Sequence, residues 1–165
     1  MTDRTGVGVS GGADGPRDRD RIMRRALELA EQAAARSEVP VGAVVVDPAG
    51  KVVGEASNRT RELSDPTAHA EILALRDAAG RLGDWRLEGH GLYVTLEPCA
   101  MCAGAVVLAR VAELVFATPD PKAGMCGSLG NLVQDDRLNH RVAVIEGVLR
   151  EESAALLTGF FQSLR

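Results

Sequence analysis

The sequence predicts one α/β layered domain. Three observations carry that expectation. Segments with apolar residues at helical spacing alternate with short strand-like runs, the pattern of helices packed on a sheet. The 165-residue length is that of a single domain, and 45% of the residues are apolar, enough for an ordinary core. No internal repeat is present. At this size roughly two-thirds of the unfolded surface leaves water on folding.

The elements follow in order. Residues 1–17 hold Gly, Asp, Arg and Ser with almost no apolar content, and a disordered leader is expected there. The domain is expected to occupy 18–165. A helix is expected over 19–36, where Ile22, Met23, Ala26, Leu27, Leu29, Ala30 and Ala33 form a broad apolar stripe. Residues 39–46 read as a buried strand, Asp47-Pro48-Ala49-Gly50 as a turn, and 51–56 as the returning strand of a hairpin. A polar loop at 58–66 leads to a helix over 68–79, with Ile72, Leu73 and Leu75 inward. Residues 92–96 form a short strand. Pro98 suits the first turn of a helix running to 110, where its missing N–H costs nothing. Residues 113–117 form a strand. The Pro-, Gly- and Asp-containing stretch 118–136 is a loop long enough to be functional or disordered. A last strand over 142–145 and a helix over 151–164 follow.

Composition excludes several classes. No apolar run approaches the ~20 residues of a membrane span, and the first residues lack the apolar stretch of a signal peptide. A cysteine pair meant for metal fits a reducing compartment, so a cytoplasmic location is expected. The net charge of −4 argues against broad, charge-driven nucleic-acid binding, without excluding a local basic groove.

The chemistry concentrates in His69-Ala70-Glu71 and, about thirty residues on, Pro98-Cys99-Ala100-Met101-Cys102. A His-Glu pair on a helix is usually just solvated, and one C-x-x-C serves redox sites or half of a zinc knuckle. Cys126, His90 and His140 have no spacing that completes a four-ligand site, so the closed structural site and the redox site are the lesser readings. His69, Cys99 and Cys102 supply three ligands, and a catalytic zinc keeps its fourth position for water. Zinc lowers the pKa of that water from ~15.7 to ~7, and Glu71 is a carboxylate free to move protons. H-x-E…P-C-x-x-C matches the signature of zinc-dependent nucleobase deaminases.

Spacing adds a geometric expectation. Cys99 and Cys102, three apart, face one way on a helix, in a first turn whose dipole favours thiolate. His69 and Glu71 are two apart and fall on different helix faces. They share a site only if the metal lies off the helix N-terminus, so two helix N-termini must meet there.

Beyond this motif, the chain from about residue 24 to residue 161 resembles the bacterial tRNA-specific adenosine deaminases of the cytidine-deaminase-like superfamily. The similar stretches include Glu38-Val39-Pro40-Val41-Gly42-Ala43-Val44, Asn58-Arg59 and Asp65-Pro66-Thr67-Ala68-His69-Ala70-Glu71-Ile72. They continue with Leu92 to Cys99, Met101 to Ala105, Asn139-His140-Arg141 and Phe160-Phe161. The resemblance implies a three-layer α-β-α sandwich on a central five-stranded mixed sheet. It implies one Zn2+ per chain on His69, Cys99 and Cys102, with Glu71 catalytic. It also implies a homodimer and, as substrate, the wobble adenosine of a tRNA anticodon stem-loop, converted to inosine. Neither a membrane nor DNA is an expected partner.

Asn58 looks like the residue that hydrogen-bonds the flipped base, with the backbone N–H of Ala70 as a second contact and Val41 as pocket floor. Their plain structural readings are a turn residue for Asn58 and core for Val41. Asp120 matches a loop position contacting RNA backbone or ribose; otherwise it is a turn Asp. Lys122 reaches a phosphate or only water, and Arg141 joins the flanking contacts. Cys126 is expected to be a bystander thiol. Departures from the family pattern are Thr118-Pro119, Pro121 and the ending Gln162-Ser163-Leu164-Arg165, which thins the expected RNA contacts. The small apolar surface Ala103, Gly104, Ala105, Val106 and Val107 suits close packing across the expected dimer; otherwise it packs on its own sheet. The runner-up function is deamination of a free base or nucleoside such as guanine, cytosine or cytidine. A third reading is a non-catalytic zinc-stabilised RNA-binding subunit, which would have no use for Glu71.

Overall fold

The computed structural model describes residues 16–165. The expected leader lies outside them except for residues 16 and 17, which open the first helix. Among the described residues nine elements follow the expected order. They are α1 (Pro16–Ala35), β1 (Gly42–Val46), β2 (Val52–Ser57), α2 (Ala70–Leu82), β3 (Gly91–Leu96), α3 (Ala100–Leu108), β4 (Glu113–Thr118), β5 (Ala143–Glu146) and α4 (Arg150–Ser163).

The strands form one mixed sheet in the order β2-β1-β3-β4-β5. β1 pairs antiparallel with β2 and β3, whereas β3–β4 and β4–β5 are parallel. Parallel neighbours need a crossover. Helix α3 supplies it between β3 and β4. Between β4 and β5 the crossover is the 119–142 segment itself, which explains its length. It is an ordered layer, with Cys126, Val133 and Val142 buried in the core.

Alternation along each strand divides the side chains between two helix layers. Val44, Val46, Tyr93, Val115 and Ala117 pack on Ile22, Met23, Ala26 and Leu29 of α1. Ala43, Val45, Leu92, Val94, Leu114 and Phe116 face Ala74 and Leu75 of α2 and Val106 and Val107 of α3. Helix α4 lies beside α1, where Ser153 Oγ donates to the Thr95 carbonyl at 2.6 Å. The three-layer α-β-α arrangement is therefore as expected, each fully buried Val or Leu contributing roughly 1.5–3 kcal/mol. Close approach of α1 to β1 requires Gly42, since a Cβ there would overlap the Ala26 carbonyl and sit 2.8 Å from the Ala30 nitrogen.

Several boundaries differ from the sequence reading. Strand β1 starts at Gly42 rather than 39, because the Val41 N–H turns back onto the Val39 carbonyl at 2.8 Å. Helix α3 starts at Ala100, so Pro98 lies before the N-cap and not in the first turn. Within α3, Ala103, Val106 and Val107 are buried in the protein's own core. They are not a free dimer surface.

Candidate active site at two helix N-termini

Two N-caps meet, as the spacing required. His69 caps α2 and Cys99 caps α3, both with extended backbones (ψ 151° and 177°), and neither side chain makes a capping hydrogen bond. Both side chains thus remain available as donors to a common point. Cys102 stands in the first turn of α3, on the same side as Cys99. His69 Nδ1 lies 3.6 Å from Cys99 Sγ and 3.5 Å from Cys102 Sγ. Tetrahedral zinc with ordinary Zn–N and Zn–S bonds places such donors about 3.6 Å apart. The donor set and its spacing fit the ion, and no other group of three such donors gathers among the described residues.

Electrostatics separates the two thiols. Hydrogen bonding from Cys102, and then His69, pulls the Cys99 thiol down to about 3. The same bond to Cys99, and then burial, pushes Cys102 up. His69 is raised above the usual imidazole value, first by its bond to Cys99. Glu71, in the first turn of α2, is buried, and that desolvation raises its carboxyl despite an opposing bond from Cys102 and the nearby His69.

These residues open into a cavity of about 240 Å³. This lies below the ~300–1,000 Å³ usual for drug-sized ligands, a scale suited to a single base. His69, Ala70, Glu71 and Cys99 share its wall with Val41, Asn58 and Asp120. Cys102 is fully buried behind them. Asn58 is buried, its Nδ2 reaches the Val39 carbonyl at 3.5 Å, and its Oδ1 has no hydrogen-bond partner. Asp120 Oδ1 accepts the backbone N–H groups of Lys122 and Ala123 at 3.0 and 3.3 Å, so the turn role is present beside the cavity position.

Two expected contacts do not line the cavity. Lys122 is exposed beyond it. Arg141 is exposed and paired with Asp136 at 2.7 Å. The preceding His140 instead ties the segment down, its Nε2 lying 2.7 Å from the Val111 carbonyl. Cys126 is outside the donor cluster, and burial pushes its thiol up to about 12, the state of an inert core thiol.

Sequence reasoning missed Glu38 and Glu97. Glu38, 1% exposed, accepts the backbone N–H groups of Arg61 and Glu62 at 3.2 and 2.7 Å and so ties down the 58–66 loop. Glu97, 2% exposed, lines the cavity and accepts from Asp120, Cys126 and Ser128. A signal was available, since each acid directly abuts an apolar strand-like run.

A His-Cys-Cys donor set with a buried carboxylate, set at two helix N-termini on this sheet, defines a deaminase-type metallohydrolase. The model of the MafB19-like deaminases matches residues 17–165. The chain is 49% identical to a tRNA-specific adenosine deaminase of Bacillus subtilis (strain 168), over 87% of this chain and 88% of that one. Among solved structures, a tRNA:A34 deaminase studied for A-to-I editing at the wobble position matches with TM-score 0.80 and 45% identity, covering 83% of this chain and 99% of that one. A guanine deaminase from Nitrosomonas europaea matches with TM-score 0.76 at 26% identity, covering 97% of each chain. The chain belongs to the MafB19-like deaminase family and to the tRNA-specific adenosine deaminases.

Proposed function

We propose that this protein hydrolytically deaminates adenosine to inosine at the wobble position of a tRNA anticodon. The observation that carries the chemistry is the buried Glu71 carboxyl on the cavity wall beside a three-donor cluster. We assign one zinc ion to His69, Cys99 and Cys102. When bound, zinc supplies acidified water, lowering its pKa from ~15.7 to ~7. Glu71 accepts a proton from the attacking water and passes it to N1 as the new C6–O bond forms. It then carries the hydroxyl proton to the amino nitrogen as the C6–N6 bond breaks and ammonia leaves. Its place on the cavity wall beside the donor cluster puts Glu71 where one carboxylate can accept and then donate a proton.

Asn58 supports base recognition. A buried amide oxygen with no partner is costly unless a ligand completes it. The Ala70 N–H at the start of α2 is the second polar contact, and Val41 the apolar floor. Asp120 meets the ribose or backbone beside the base, where a 2′-OH contact selects RNA. Lys122 and Arg141 are exposed outside the cavity, so their part is with flanking phosphates and not with the base. The working domain is assigned to residues 18–165.

A homodimer is supported by an apolar groove between α2 and α3 that includes Ile72, Ala79, Trp85 and Leu108, with Trp85 61% and Leu108 68% exposed. Among the described residues no helix is long and apolar enough to cross a membrane. Reduced thiols as ligands, together with a tRNA substrate, support the cytoplasm as the site of action.

The test compares kcat/KM for a stem-loop bearing the wobble adenosine with free adenosine, cytidine and guanine. Strong preference for the stem-loop is expected, because flanking contacts offset the cost of extracting the base. Comparable activity on any free base or nucleoside overturns the tRNA assignment in favour of a small-molecule deaminase.

A further inference from the structure

We infer that Glu97 is a positioning residue that sets one wall of the substrate cavity, holding Asp120 in place without itself exchanging protons with the base. This rests on the function proposed above for its kinetic consequence, though not for its structural one.

An ionised carboxylate offers about four lone-pair sites. In Glu97 all four are taken. Oε1 accepts from the Asp120 N–H at 3.0 Å and from the Ser128 hydroxyl. Oε2 accepts from the Cys126 and Ser128 N–H groups, both at 3.0 Å. Nothing is left over for a reacting proton, although the residue lines the cavity. The backbone conforms to this arrangement. A Cβ at Gly124 would overlap the Glu97 carboxylate. Gly124 forms an antiparallel bridge with Cys99, and the Met125 N–H donates to the Pro98 carbonyl at 2.9 Å. The segment that presents Asp120 and Ala123 to the cavity is thus attached to the chain that presents Cys99.

The two carboxylate oxygens differ in what they tolerate. Both donors to Oε2 are backbone N–H groups, which cannot turn to accept. One donor to Oε1 is a hydroxyl, which can. In Glu97→Gln the amide nitrogen therefore takes the Oε1 site, the Ser128 hydroxyl rotates to accept from it, and only the Asp120 N–H loses its partner. Glu97→Ala frees all of these donors.

The experiment uses the metal-loaded full chain. Hydrogen exchange is measured at the amides of residues 120, 126 and 128, beside metal content and steady-state kinetics on the stem-loop. For Glu97→Gln, exchange at Asp120 is expected to speed up about 10-fold, with Cys126 and Ser128 within about 3-fold of the parent. KM is expected to rise about 10-fold with kcat within about 3-fold and metal retained, because the wall contacts substrate flanks and not the reacting atoms. For Glu97→Ala all three amides speed up. Uniform acceleration at the three amides of Glu97→Gln overturns the inference. So does a kcat loss at unchanged KM, which would make Glu97 a proton carrier, or a KM that does not move on a substrate the parent turns over. If the parent fails to deaminate the stem-loop, the function reading falls, and the exchange pattern alone then decides for or against the positioning role.

Discussion

Two buried carboxylates face the same cavity and behave oppositely. Glu71, on the metal side, is raised by desolvation. Burial also opposes ionisation of Glu97, on the loop side, but the Ser128, Asp120 and Cys126 donors outweigh it and hold the carboxyl below the usual range. Exposure hardly distinguishes them, at 4% and 2%. The difference is the number of donors. A carboxylate ringed by N–H and O–H groups is held as a fixed structural anion, while in one left mainly to desolvation the charged form is disfavoured. Burial alone therefore does not mark a catalytic acid.

The comparison can be broken from the metal side first. Cys102→Ala removes one of three donors, and the chain is expected to lose its ion and all measurable turnover. Because metal binding is coupled to folding, its unfolding temperature should fall to that of the chelator-treated parent. Metal analysis that still finds one ion per chain in this variant would mean the donor set was misassigned.

Glu71→Gln is next. It should retain metal and RNA affinity while kcat drops by ~10⁴, the upper end for a general acid–base, since one carboxylate serves successive transfers. Single-turnover rates near those of the parent would transfer the proton role elsewhere.

On the loop side the effects are smaller. Gly124→Ala places a methyl group against the Glu97 carboxylate, and overpacking of this kind costs about 1–3 kcal/mol. A lowered midpoint in denaturant is expected, and an unchanged one would show that the contact can relax freely.

The smallest effect is the pH dependence of Glu97. Its folded pKa lies below the unfolded value of about 4.3, so its contribution to stability is complete above that value and is lost as pH falls through the folded one. The stability gap between the parent and Glu97→Gln should therefore narrow below about pH 4. A gap that stays constant on acidification would remove charge from the account of this loop.

The metal side was legible because its signal is local and chemical. His69, Cys99 and Cys102 are the only donor types with suitable spacing, and the two-residue offset of Glu71 already required a helix N-terminus at the site. The loop side was not. The bonds of Glu97 join residues 23, 29 and 31 apart, and nothing in the composition of 118–136 distinguishes an ordered crossover from a mobile loop. The same limitation explains α3. Its Ala103, Val106 and Val107 read as a surface for close packing, but sequence does not say that the sheet lies beneath them.

By itself, then, the sequence determined the α/β order, the helix and strand periodicities, the donor set and the acid beside it. Each of these is written within a few consecutive residues, as periodicity, turn chemistry or ligand type. Tertiary structure alone decided which buried acid is ringed by donors, that Asn58 on the cavity wall has an unpaired Oδ1, and that Lys122 and Arg141 stand outside the cavity. Those outcomes depend on which backbone donors arrive when distant segments close, and desolvation and hydrogen bonding are set only at that closure.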